Sequence, residues 1–150
     1  MEFRTLTQIG AHPDQVFEVL STPLKYKQAI PHILEVSFRS ESQRGLGTVF
    51  RETRMMNGNR ISLIREVREF VEGERMRVVT DVNGCVWDSM FAVRPSDQGT
   101  EMLFIMEARP YRFLAKVTNY MARKFIQQNV EKDMQCLKTY CEAQAAETRH

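Results

Sequence analysis

Glu52, Arg54 and Arg65 are the side chains whose types and spacing carry the most chemistry in this chain of 150 residues. Glu52 and Arg54 stand in the run Phe50-Arg51-Glu52-Thr53-Arg54, and Asn57-Gly58 follows, so Arg65 returns within reach of Glu52 across a hairpin. A carboxylate held in apolar surroundings has a raised pKa unless it is paired. It can then serve as a general acid or base, or hold a ligand hydroxyl. The same residues also fit a charge ladder on a solvent face. One parity of the first strand holds Arg51 and Thr53 and the other Phe50, Glu52 and Arg54, while on the next strand the choice lies between Arg65 with Glu69 and Glu66 with Arg68.

Other constellations are missing. The histidines are His12, His32 and His150, and none has the i,i+4 spacing of a helical metal pair, so no metal is expected. His12 reads as a neighbour of a helix cap, His32 as a residue leading into a strand, and His150 as part of a disordered tail. The three cysteines, Cys85, Cys136 and Cys141, form no CxxC pair and read as buried or spectator thiols of a reducing compartment. No GxSxG, P-loop or GxGxxG run occurs, which leaves acyl-serine, nucleotide and dinucleotide mechanisms without support, and no cofactor is implied.

Composition narrows the class further. With 43% hydrophobic and 27% charged residues, the chain reads as an ordinary globular domain, and its net charge of +2 does not argue for nucleic acid as a partner. No apolar leader follows Met1 and no apolar run approaches a membrane span, so a cytoplasmic location is the expectation.

The elements that must position these residues follow from the punctuation. A first strand over 2–10 is followed by Ala11-His12-Pro13-Asp14, where Pro13 suits a first helical position and Asp14 the positive end of the helix dipole. Val16, Phe17, Val19 and Leu20 make a short amphipathic helix, Ser21-Thr22-Pro23 breaks it, and residues 24–30 make a second. Strands are expected over 33–40, 48–56, 59–71, 74–82, 85–94 and 100–108. The turns between the later ones lie at Asn57-Gly58, Glu72-Gly73, Asn83-Gly84 and Ser96-Asp97-Gln98-Gly99. From Tyr111 onward no Gly or Pro interrupts a long helix, and a disordered tail is expected after about residue 145.

This order, β-α-α-β-β-β-β-β-β-α, resembles the helix-grip fold of the START and Bet v1-like (SRPBCC) superfamily, and most of all its polyketide cyclase/dehydrase-like branch. The residues that carry the resemblance are Ala11 to Val16, Ile30-Pro31-His32-Ile33, Gly47 followed by Phe50 to Arg54, Gly58, Glu66 to Glu69, Gly99-Thr100, Leu137-Lys138 and Glu142. It implies a single α+β domain over 1–150, in which a curved antiparallel sheet of about seven strands wraps around the terminal helix. It further implies a cavity between the two for a hydrophobic or amphipathic small molecule: a lipid, quinone, polyketide or aromatic compound. Relatives include carriers and sensors as well as cyclases or dehydratases. The family's aromatic-x-acid pattern after the glycine turns Phe50 and Glu52 inward, with Arg54 nearer the rim.

Strand parity supplies the rest of the expected wall. Cys85, Trp87, Ser89, Phe91 and Val93 form the apolar side of one strand, and Thr100, Met102, Phe104, Met106 and Ala108 that of the last. These residues either border the cavity or close-pack as core. On the terminal helix Phe113, Val117, Tyr120, Met121 and Phe125 share one side, whereas Ile126, Val130, Met134, Leu137 and Cys141 lie beneath the opposite, basic side. Either the helix kinks near Phe125 to Asn129, making a lid to which Val117 and Met121 belong, or it exposes an apolar stripe to a protein, a membrane surface or a second subunit. Binding or transport of the small molecule is the first reading. A cyclase or dehydratase using Glu52 is the second, and an interaction module presenting residues 113–125 is the third.

Overall fold

The computed structural model describes residues 1–148. In chain order the elements are β1 (Glu2–Ile9), α1 (Pro13–Ser21), α2 (Pro23–Ala29), β2 (Ile33–Phe38), β3 (Val49–Met56), β4 (Asn59–Val71), β5 (Arg75–Val82), β6 (Cys85–Ser96), β7 (Gly99–Pro110) and α3 (Phe113–Thr148). All seven strands belong to one antiparallel sheet of order β1-β7-β6-β5-β4-β3-β2. This is the α+β helix-grip arrangement.

Local chemistry explains the boundaries. His12 is itself the N-cap of α1, its Nδ1 accepting from Asp14 N at 3.2 Å, with Pro13 in the first turn. A proline also opens α2, which stops at Ile30 because the residue before Pro31 is driven out of helical geometry. Asn57 and Gly58, like Asn83 and Gly84, take positive φ at both turn centres, the signature of tight type I′ hairpins. At Gly84 the turn also receives the start of α3: its carbonyl accepts from the Tyr111 and Arg112 N–H groups, and a Cβ there would lie 2.8 Å from the Arg112 side chain. A bulge between Val67 and Glu69 interrupts the β4–β5 register, which bends the long strand and adds to the sheet's curvature.

The core lies where α1, β6, β7 and the second half of α3 meet. Val16, Phe17, Val19 and Leu20 of α1 are buried, each such side chain worth about 1.5–3 kcal/mol of transfer free energy. Phe91 and Phe104 pair on the concave face with ring centroids 4.8 Å apart. From α3 come Val130, Met134, Leu137, Cys141 and Ala145. The outer face of the sheet is covered by ion pairs such as Arg77–Asp88–Arg109.

Two expectations about the last helix are corrected. The helix continues through 146–148, where the sequence suggests a tail, and His150 lies outside the described residues. No break occurs near Phe125 either: α3 is continuous, so its first half is not a separate lid, and Phe113, Leu114, Val117, Tyr120, Met121 and Phe125 are exposed. The physical reason lies beneath them. The side of this half that faces the sheet carries Ala115 and Asn119, which border open space, and a cavity wall needs no large apolar side chains to fill it.

Candidate functional site

Between the concave face and α3 lies a cavity of about 940 Å³. Alternate residues of consecutive strands build its wall, as the two-residue period of a strand dictates. β3 contributes Phe50, Glu52 and Arg54, β4 Leu63 and Arg65, and β5 Met76, Val78 and Thr80. From β6 come Cys85, Trp87, Ser89 and Phe91, and from β7 Phe104 and Met106. Tyr26 of α2 and Asn119, Ile126, Asn129, Val130, Asp133 and Met134 of α3 close the other side. Most of this surface is apolar or aromatic, as befits a small-molecule pocket with a few placed polar groups.

One polar strip crosses it. Glu52 is only 2% exposed, and its Oε2 accepts from Arg65 Nη2 at 2.9 Å and lies 3.8 Å from Arg54 Nε. Register explains the pairing: Glu52 faces Leu63, so Arg65, two residues further along β4, is its diagonal neighbour on the same face. Arg65 Nη1 also donates to Thr80 on β5 at 3.3 Å. Arg54 Nη2 donates to Asp133 Oδ2 at 2.8 Å, and the other Asp133 oxygen, Oδ1, stands 2.6 Å from His32 Nε2. The strip therefore runs His32–Asp133–Arg54–Glu52–Arg65–Thr80 and ties α3 to β3, β4 and β5.

Charges in the strip favour one another. Burial opposes ionisation of Asp133, but the His32 hydrogen bond and the Arg54 guanidinium outweigh it and hold its carboxyl below the usual range. An ionised carboxylate only accepts, so the Nε2 of His32 carries the proton in their contact. Arg54 is held charged: burial works against it, and Asp133 and Glu52 more than compensate. Tyr26 goes the other way, its phenol raised by burial first and then by Asp133, so it remains a neutral hydroxyl.

Two guanidiniums are only partly satisfied. Arg54 uses one of its five donors in a hydrogen bond among the described residues and Arg65 uses two. The Nε of each is buried without a partner. A buried donor left unmade costs about 1–3 kcal/mol, and the free Nη donors, which are not enclosed as the Nε atoms are, give the wall unused hydrogen-bonding capacity.

Of the residues singled out from sequence, Phe50, Glu52, Arg54, Arg65, Trp87, Ser89, Phe91, Phe104 and Met106 are on the cavity wall. Arg54 is buried in the middle of the strip rather than near the rim. Met102 is fully buried in the core and does not border the cavity, and Val117 and Met121 are exposed on the continuous α3 and do not border it either. Sequence reasoning passed over Asp133, Tyr26 and the role of His32. A usable signal for Asp133 was present, since Val130, Asp133 and Leu137 follow the i, i+3, i+7 spacing of the buried stripe. The thiols of Cys85, Cys136 and Cys141 are all raised by burial, Cys141 to about 12, and none is activated. Among the described residues no three His, Cys, Asp or Glu side chains are placed to share a metal ion.

The family model described as polyketide cyclase/dehydrase and lipid transport matches residues 2–142. The chain belongs to that family. Solved structures share this polyketide cyclase/dehydrase fold over almost the whole chain. TTHA0849 from Thermus thermophilus is similar with a TM-score of 0.79 and 17% identity, covering 97% of this chain and 99% of that one. Ara h 8.0201 follows with a TM-score of 0.74, 12% identity and coverage of 95% and 98%. StfQ, a di-domain ARO/CYC from the steffimycin biosynthetic pathway, has a TM-score of 0.78 at 11% identity, matching 97% of this chain and 51% of its own. At such identities these likenesses speak for the Bet v1-like fold alone. No curated protein matches the chain. Membership of the polyketide cyclase/dehydrase and lipid transport family supports a role in binding or processing a hydrophobic small molecule.

Proposed function

We propose that the protein binds a largely apolar small molecule whose one polar end carries an oxygen acceptor. The observation that carries this reading is the pairing of an apolar cavity of about 940 Å³ with the buried Arg54 and the half-buried Arg65 on its wall, whose Nη groups have donors to spare. The apolar part of the ligand lies against Trp87, Phe91, Phe104 and Met106. A carbonyl, phenolate or carboxylate oxygen is received at Arg54 and Arg65, which the Asp133 and Glu52 carboxylates keep charged and oriented. Ligands of this kind include polyketides, quinones and fatty acyl compounds.

A second reading, a cyclase or dehydratase, is favoured by one detail. Only Oε2 of Glu52 is engaged, and Oε1 accepts no hydrogen bond among the described residues, although the carboxylate is on the cavity wall. Such an oxygen can take a proton from a bound substrate while the neighbouring guanidiniums stabilise the resulting enolate.

The test begins with native mass spectrometry of freshly purified protein, followed by solvent extraction and identification of what it retains. A stoichiometric apolar compound with an oxygen function is the expected result. A clean apo mass with no uptake from a panel of quinones, acyl chains and polyketides overturns the proposal. Glu52→Gln then separates the readings: in a carrier its affinity remains within a few-fold of wild type, whereas in an enzyme turnover is lost while binding persists.

A further inference from the structure

We propose that the first half of α3 docks the protein on the surface of an anionic lipid bilayer. On an ordinary surface helix the apolar side faces the core, and here it faces solvent. Phe113 is 81% exposed, Leu114 75%, Met121 78% and Tyr120 60%. Phe113, Tyr120 and Lys124 are spaced so that they share one ridge of the helix, with Lys116 and Arg123 bordering it. The Arg123 guanidinium rests on the Tyr120 ring, 4.2 Å from its centre.

Charge decides what covers this ridge. Between Glu107 and Glu131 the chain has no acidic residue, yet it carries Arg109, Arg112, Lys116, Arg123 and Lys124. Arg109 is occupied by Asp88 and Glu107, whereas the other four have no acidic partner among the described residues. A second copy laid on the ridge would set two cationic rows against each other with no carboxylate between them. An anionic bilayer answers both features at once: aromatic and aliphatic side chains enter the boundary of head groups and acyl chains, and the cations meet lipid phosphates. No helix of the described residues is long and apolar enough to cross a membrane, so α3 lies on the surface rather than spanning it.

The docking face also borders the cavity. Arg112 and Leu114 belong to its lining and reach solvent at the same time. Docking therefore holds the cavity mouth against the membrane, where apolar molecules reside. The docking itself stands on the helix surface and not on the identity of the cavity ligand.

The experiment is sedimentation of the full chain with vesicles of phosphatidylcholine alone and of phosphatidylcholine mixed with phosphatidylglycerol. Expected is co-sedimentation with the mixed vesicles only, weakening with added salt. Lys116→Glu and Arg123→Glu each reduce it at least about fivefold, and the double variant Phe113→Ser with Met121→Ser abolishes it. These four residues are exposed and do not border the cavity, so unchanged thermal unfolding and unchanged probe uptake, followed by Trp87 emission, verify that the variants are intact. Equal pelleting with neutral vesicles, no pelleting with either, or variants that pellet like wild type would overturn the proposal. So would a dimer in sedimentation velocity that Phe113→Ser with Met121→Ser dissolves, since the occupant would then be a second copy.

Discussion

The imidazole of His32, leading into β2, meets the Asp133 carboxylate of α3 at 2.6 Å across a sequence separation of 101 residues. Asp133 uses its other oxygen for Arg54, so one carboxylate joins the helix to the far end of the sheet and fixes a cavity guanidinium. His32 does not border the cavity itself. It bonds to the Asp133 carboxylate, which in turn holds Arg54 on the cavity wall.

Removing Asp133 is expected to be costly. Asp133→Ala takes from the buried Arg54 guanidinium its one hydrogen-bonded carboxylate and leaves only Glu52 at 3.8 Å, and the loss of a partner from a buried ion pair costs about 3–5 kcal/mol. His32→Ala, which removes a hydrogen bond from an edge of the strip, costs about 1–2 kcal/mol. Urea unfolding of both variants measures the difference. A loss below that of His32→Ala for Asp133→Ala would contradict the placement of Arg54.

Acid should loosen the fold in a predictable direction. The Asp133 carboxyl is depressed in the folded protein, so its stabilisation is fully present above its unfolded value near 3.8 and disappears as pH falls through the lower folded value. Asp88, held down chiefly by hydrogen bonds from Arg77 and then Arg109, adds in the same sense. Urea midpoints between about pH 5 and about pH 2 should therefore fall, and the slope should be shallower in Asp133→Asn. Equal slopes would mean that this carboxyl does not report folding.

Trp87 is the single tryptophan and borders the cavity, so occupancy has a built-in optical reporter. Uptake of an aromatic probe such as anilinonaphthalene sulfonate should quench or shift its emission with a saturable profile. Ser89→Phe, which places a ring between Trp87 and Phe91 on the same face of β6, should abolish uptake while changing stability by about 1 kcal/mol, because the added volume enters open space. Unaltered probe affinity in this variant would place binding outside the cavity.

Gly84→Ala tests the seat of α3. The alanine would need φ near 78° and would press its Cβ on Arg112, so a loss of about 1–3 kcal/mol is expected. Hydrogen exchange should quicken at Tyr111 and Arg112, whose N–H groups bond the Gly84 carbonyl. Gly58→Ala, with a similar φ of 78° but open space around it, should cost less.

What could be read from the residues divides along physical lines. Turns are local, so Asn57-Gly58 and Asn83-Gly84 announced their hairpins and through them the strand order. Parity is local too, which is why Trp87, Ser89, Phe91, Phe104 and Met106 are where alternation puts them. The ion pair of Glu52 with Arg65 follows from one hairpin. Asp133 meets Arg54 only when the helix has folded back over the whole sheet, and no short-range spacing encodes that. The helix departs from expectation for a different reason: amphipathic logic assumes a filled core, and over a cavity the rule that large apolar side chains turn inward lapses.

β1 has a single neighbour in the sheet, β7, whose first residue is Gly99. A ribosome releasing this chain therefore emits its opening strand long before the partner exists, while β3 to β6 can already zip into a meander. The eight residues of β1 wait with both edges unpaired until β7 has emerged, and in the nascent chain they are a segment open to chaperones and to misassociation.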